Sequence, residues 1–358
     1  MRQKLPDFPW DALAPYGAIA KQHPEGAIDL SVGTPVDPTP EFIQEAFRKA
    51  SNSPSYPVTV GTPELREAIT AWAKKYLGAS GDFGVLPLIG SKEFVAWLPT
   101  FIEAQSVLYP DVAYPTYLVG SLLAQAEATP VSLDATLWPQ AEMAWVNSPS
   151  NPTGRVHSEE EFKAAIEWSR KHKSIVVSDE CYLEFGDSKK PTSILNYTGG
   201  DNTNILAVHS LSKRSSMAGF RAAFIVGDPA LIARILEVRK HAGMMVPLPV
   251  QIAMIAALSE EDHVAKQRAL YNARRATLIP ALRAAGFTIE SSEAGLYIWA
   301  TRNENCWDSV SWLAELGIIA TPGVFYGELG ASHIRIAMTA TDAQISQAAA
   351  RIMKKVGA

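Results

Sequence analysis

Cysteine is scarce in this chain: only Cys181 and Cys306 occur among 358 residues. Two thiols build no disulfide framework and show no metal-ligand spacing, so a reducing compartment and no metal are expected. Charge is also modest. With 32 Lys and Arg against 37 Asp and Glu, the net charge of −5 offers no general basic surface to nucleic acid or an anionic membrane. Anion binding must then be local. No stretch approaches the roughly 20 apolar residues of a membrane span. At the start, Arg2 and Lys4 run into Pro6, Asp7 and Pro9 where a secretory signal needs an apolar run, so a cytoplasmic protein is expected. Internal repeats and low-complexity linkers are missing too. What remains is an ordinary globular composition, 47% hydrophobic, in a chain long enough for two domains and a large core.

Short apolar runs at 85–89, 106–109, 143–146, 174–178, 205–209 and 222–227 read as strands, separated by helical stretches. That alternation argues for a doubly wound sheet with helices on both faces. Helices are expected over 41–50, up to 76, over 94–101, from 117 to 128, behind the Ser158 cap to 171, over 229–241 and, with interruptions, to 285. Residues 1–25, rich in Pro and aromatics, read as an arm. Beyond 288 the pattern becomes strand 296–299, helix 307–316 and strand 333–337. The expected division is 1–40 as arm and part of a small domain, 41–250 as the large domain, and 251–358 as the C-terminal small domain.

Lys213 stands between two of the apolar strands, in a turn that also holds Ser210, Ser212 and Gly219. Arg221 abuts a run that should be buried, and a buried guanidinium needs an anion. No Asp or Glu separates the two, so the anion is distant in sequence or is a ligand, and the composition suits phosphate. Gly90-Ser91-Lys92 opens a helix after a strand, another place where free N–H groups favour phosphate. Asp179 ends a strand on the side where ligands of open α/β sheets bind, although a helix N-cap would also explain it. Arg335 faces away from Ile334 and Ile336, which by itself suits a surface ion pair. Gly33, Tyr56, Tyr114 and Asn151 are, taken singly, turn residues.

In order along the chain the motifs do more. Ser210-x-x-Lys213 with Met217-x-Gly219-x-Arg221 resembles the cofactor-lysine signature of class I/II aminotransferases, the pyridoxal-phosphate (PLP) enzymes of fold type I. Tyr56-Pro57-x-x-x-Gly61-x-x-x-Leu65-Arg66, Asn147-x-Pro149-x-Asn151-Pro152-Thr153-Gly154, Asp179-x-x-Tyr182 and Arg335-Ile336-Ala337 extend the likeness from Asp29 to Arg335. The resemblance implies an α/β fold, with a mainly parallel doubly wound sheet in a large domain plus a smaller α/β domain. It implies that Lys213 carries PLP as a Schiff base and, when free, moves the substrate proton. Asp179 would pair with the pyridine nitrogen, Tyr182 and Asn151 with the ring oxygen, and Tyr114 would stack on the ring. Ser91, Lys92, Ser210 and Arg221 would hold the phosphate, joined by Tyr56 from the second subunit of a homodimer. Gly33, Asn151 and Arg335 would meet the substrate, Arg335 gripping its α-carboxylate.

Within that family, residues 5–11 and 29–38 look like the actinobacterial succinyldiaminopimelate aminotransferases. Transfer of the amino group of L-glutamate to N-succinyl-2-amino-6-oxopimelate is thereby implied. The succinyl carboxylate lies far from the reacting carbon and asks for a second cation, with Arg155, Arg214 and Lys21 as unranked candidates. The alternatives are an aspartate or aromatic aminotransferase, a PLP-dependent carbon–sulfur β-lyase, and a regulatory scaffold without catalysis.

Overall fold

The computed structural model describes residues 5–357, so Arg2 and Lys4 lie outside it. The expected arm is partly helical. A 3₁₀ turn, Pro9–Leu13, leads into α1 (Ala14–Ala20), and β1 (Ile28–Asp29) pairs in parallel far away with Ile318–Ile319. Helices α2 (Glu41–Lys49) and α3 (Pro63–Trp72) follow, the second capped by Thr62, whose hydroxyl accepts from the Leu65 N–H.

The central sheet comprises β2 (Gly84–Ile89), β3 (Ser106–Pro110), β4 (Glu127–Val131), β5 (Met143–Asn147), β6 (Ile175–Asp179), β7 (Ile205–Ser210) and β8 (Ala222–Gly227). Its order is β2-β8-β7-β6-β5-β3-β4, and only the pairings of β8 are antiparallel. Every residue of β5, β7 and β8 is buried, as continuous apolar strands require when both sheet faces are covered. The cover comes from α4 (Ser91–Phe101), α5 (Thr116–Leu123) and α6 (Glu159–His172), among others. In α6 a Ser158/Glu161 capping box, three first-turn glutamates and a basic last turn all agree with the helix direction.

Strand β4 corrects the helix expected to run to residue 128. Gln125 adopts φ 59°, which stops the helix, and the following residues pair with β3.

After β7 the chain makes the four-residue helix α7 (Leu211–Arg214) and a 3₁₀ turn, then reverses into β8. This reversal holds Lys213 over the carboxyl ends of β5, β6 and β7. Helices α8 (Pro229–His241), α9 (Leu248–Ser259) and α10 (Asp262–Ala284) follow, α9 packing on α2 and α3. A four-stranded antiparallel sheet then forms from Thr288–Glu290, β9 (Tyr297–Thr301), Thr321–Pro322 and β10 (His333–Ala337).

Apolar side chains gather on the two faces of the large sheet and, separately, around the small one. Trp72, Phe162 and Phe224 mark one face, Phe94, Tyr117 and Trp145 the other; the third cluster joins Ile28 and Leu30 to Leu296, Ile334 and Ile345. Each such buried side chain contributes about 1.5–3 kcal/mol. Among the described residues no helix is long and apolar enough to cross a membrane.

Candidate active site

The carboxyl ends of β5–β7 and the first turn of α4 open into a cavity of about 1050 Å³. Ser91, Lys92, Tyr114, Asp179 and Tyr182 line it, as do Ser210, Lys213 and Arg221. Gly33, Asn151 and Arg335 close its other side. Tyr56 is the one expected site residue elsewhere, 92% exposed on the molecule's surface.

Lys213 is presented by α7, which Ser210 caps by accepting from the Ser212 N–H at 3.2 Å. No carboxylate pairs with it among the described residues. Burial is the main cause that pushes its ammonium down to about 8; Cys181 opposes the shift, while Arg221 and Arg335 add to it. Lys213 keeps some accessible surface only because it faces the cavity.

Asp179, at the end of β6, is the negative pole. Its Oδ2 accepts from the Tyr117 hydroxyl at 2.9 Å and its Oδ1 from the Cys181 N–H at 3.2 Å. Burial raises the carboxyl above its usual range, and the hydrogen bonds from Cys181 and Tyr117 pull it part of the way back. No Lys or Arg pairs with it among the described residues. A buried carboxylate in that position is stabilised by a cation supplied from outside the chain.

The positive pole faces it. Gly90 precedes α4 at φ 78° with no side-chain cap, leaving the first-turn N–H groups of α4 open to an anion. Arg221 lies against it; a Cβ on Gly90 would come within 2.2 Å of an Arg221 nitrogen. Arg221 donates to the Ala218 carbonyl at 3.0 Å and pairs with no carboxylate among the described residues. Burial and the Arg221 charge hold Lys92 below its usual value.

Anion cradle, amine and unpaired carboxylate thus match the phosphate, aldehyde and ring nitrogen of PLP, so the residues fit that cofactor.

Arg335, 2% exposed, projects from β10 toward the same cavity. It donates to Asn151 Oδ1 at 2.9 Å and to the Ser31 carbonyl, while its Nε finds no partner. Asn151 is itself fixed by its N–H to Asn147 Oδ1 at 2.7 Å, and Asn147 donates to the Asp179 carbonyl.

Sequence reasoning missed Tyr117 and Tyr297. Tyr117 stacks on Trp145 and holds Asp179. Tyr297 meets the Tyr182 hydroxyl at 3.1 Å, and its ring lies 4.1 Å from the Arg335 guanidinium. The only signals were two tyrosines in otherwise apolar runs.

The three candidates for a distal cation are corrected. Arg155 pairs with Glu161, Arg214 is buried between Glu184 and Glu261, and Lys21 lies exposed after α1; none lines the cavity. The far wall is apolar, built from Leu118, Val119, Phe325 and the N-terminal arm at Leu5 and Phe8. The Lys92 ammonium reaches that arm, 5.8 Å from the Phe8 ring centre.

Comparison with known proteins gives a consistent result. The family described as "Aminotransferase class I and II" matches residues 25–352. A probable aminotransferase of Mycobacterium tuberculosis is 51% identical over 97% of this chain and 85% of its own length. The 4-dedimethylamino-4-oxo-anhydrotetracycline transaminase of Streptomyces rimosus is 49% identical over 98% of this chain and 99% of its own. Among solved structures, a probable N-succinyldiaminopimelate aminotransferase from Thermus thermophilus superposes with a TM-score of 0.88. It is 25% identical, covering 97% of this chain and 100% of that one.

Proposed function

Since this chain belongs to the class I and II aminotransferase family and uses PLP, we propose that it moves the amino group of L-glutamate to N-succinyl-2-amino-6-oxopimelate. Transamination itself follows from the family. The observation that carries the site assignment is a set of charges that meet no counterion among the described residues: Lys213, Arg221 and Arg335 against Asp179.

When bound, PLP supplies the electron sink for the pair left on the substrate Cα. The chain supplies the rest. Asp179, kept rigid by Tyr117, holds positive charge at the ring nitrogen. Arg221 and the N-terminus of α4 retain the phosphate. Arg335 forks onto the substrate carboxylate, a geometry Lys would not reproduce. Lys213 Nζ, with part of its population neutral near pH 7, would take the proton from the substrate Cα and hand it on to the aldehyde carbon of the cofactor.

The substrate assignment rests on the likeness to the Thermus protein, on residues 5–11 and 29–38, and on a cavity that continues past Lys213 beneath the arm. At position 92 the backbone N–H can serve the phosphate, leaving the ammonium near Phe8 for a distal carboxylate. One observation favours a second reading. The far wall is otherwise apolar, which suits a bulky ring system such as the one named for the Streptomyces relative.

The test is spectroscopic. Holoprotein mixed with L-glutamate should lose its resting visible band and release 2-oxoglutarate, and N-succinyl-2-amino-6-oxopimelate should restore the band. A spectrum indifferent to glutamate refutes the amino-donor reading. Restoration only by bulky uncharged ketones replaces the succinyl reading with the second.

A further inference from the structure

Tyr297 opens β9, and the antiparallel register places Trp299 opposite Arg335 and Tyr297 opposite Ala337. Side chains two apart share a sheet face, so the Tyr297 ring falls diagonally across Arg335. It lies 4.1 Å from the guanidinium and is 3% exposed. At its other end the hydroxyl makes two contacts. It is 3.1 Å from the Tyr182 hydroxyl, and a Cβ on Gly33 would come within 2.1 Å of it. One phenol therefore touches the substrate clamp, the residue expected at the cofactor ring and the loop beside the substrate.

Two facing hydroxyls share one bond, and either atom can donate. If Tyr182 directs its single proton at the ring oxygen of PLP, the proton between the tyrosines must come from Tyr297. We propose that Tyr297 is a positioning residue that joins the carboxylate clamp to the cofactor face. Its ring backs Arg335, and its hydroxyl donates to Tyr182 so that Tyr182 points its proton at PLP. This rests on the PLP-transaminase reading of the site.

A better donor at Tyr182 favours negative charge on the ring oxygen and so opposes protonation of the bound chromophore. Removing the Tyr297 hydroxyl should raise the pH midpoint of the visible spectrum. Other groups face the pair: Asp179 and Cys181 from the end of β6, Arg335 from β10, Tyr326 from the preceding turn, Tyr271 from α10 and Tyr114 from the start of α5. All of them are unchanged in a Tyr297→Phe protein, which keeps the ring and loses only the donor.

The experiment is a double-mutant cycle on resting holoprotein, with Tyr297→Phe, Tyr182→Phe and both together. Tyr297→Phe should move the midpoint up by about half to one pH unit, the size of one hydrogen bond. In the Tyr182→Phe background the same change should do nothing. Tyr297→Leu, which also removes the ring, should raise KM for the 2-oxo acid by about threefold to tenfold, while Tyr297→Phe leaves KM within about twofold.

An unmoved midpoint overturns the proposal. So does a shift of equal size in both backgrounds, which a merely structural effect would give. Because the cycle is read without turnover, a wild-type spectrum indifferent to glutamate would sink the transamination reading alone.

Discussion

Lys213 has cations for neighbours where a lysine usually has acids, and its ammonium titrates at about 8 instead of 10.5. At pH 7 an ordinary lysine keeps about 0.03% of its amine free, and one at about 8 keeps about 10%. The ratio, about 300-fold, is the reactivity advantage of Lys213 over surface lysines before any cofactor arrives. Cofactor-free protein should be offered limiting PLP from about pH 6 to 10, trapped with borohydride, and digested. The peptide carrying Lys213 should take most of the label at pH 7, half-maximally near pH 8.

The same shift has a thermodynamic sign. Between about 8 and 10.5 the unfolded chain holds more protons than the folded one, so stability rises with pH across that window. Below it the whole cost of the buried ammonium is present, at most about 3 kcal/mol and roughly half that once cavity water is allowed for. Lys213→Met should therefore raise the Tm of cofactor-free protein at pH 7 and raise it less at pH 10.5. Label spread evenly over many lysines, half-labelling near pH 10, or a Met variant no more stable at pH 7 would refute this reasoning.

Arg335→Lys loses the fork onto Asn151 and Ser31 and should lower kcat/KM for the 2-oxo acid by about 10²–10³, a few kcal/mol of charged hydrogen bonding, read by steady-state kinetics. Gly90→Ala puts a Cβ within 2.2 Å of Arg221 on a φ of 78°; PLP should bind about 10–100-fold more weakly in an equilibrium titration, with circular dichroism unchanged. Arg214→Met leaves Glu184 and Glu261 without their shared guanidinium, which should cost about 3–5 kcal/mol in urea unfolding at pH 7.

Strands buried on both faces were the easiest elements to read, because β5 and β7 open on the apolar runs 143–146 and 205–208 and β8 has no polar residue. Strand β4 is at the sheet edge, and only Val131 of it is buried. Ala124, Gln125 and Ala126 before it are helix formers, so local propensity pointed the wrong way. Lys213, Asp179, Arg221 and Arg335 were legible for a different reason: each is a charge in or beside an apolar strand run, with no opposite charge close to it in sequence. The tyrosines were not, because a phenol in an apolar run looks like core until its hydroxyl finds a partner. For Tyr117 that partner is 62 residues away, and for Tyr297 it is 115.

Arg214 shows why adjacency misleads when a distal cation is sought. It follows Lys213 in α7, but successive helical side chains diverge by about 100°, so the lysine enters the cavity as the arginine leaves it. Its guanidinium meets Glu184, Glu261 and the Ala257 carbonyl, 30 to 47 residues distant, and lies over the Trp72 ring. A cation already neutralised by two carboxylates attracts no third. With Arg155 likewise committed to Glu161, a second substrate carboxylate must be met by Lys92 or from outside the described chain, and Lys92→Met therefore separates the two substrate readings. KM for a dicarboxylic tail should rise about tenfold or more, whereas KM for a ketone with an uncharged tail should stay within about twofold. Equal effects on both would mean that the ammonium serves the phosphate instead.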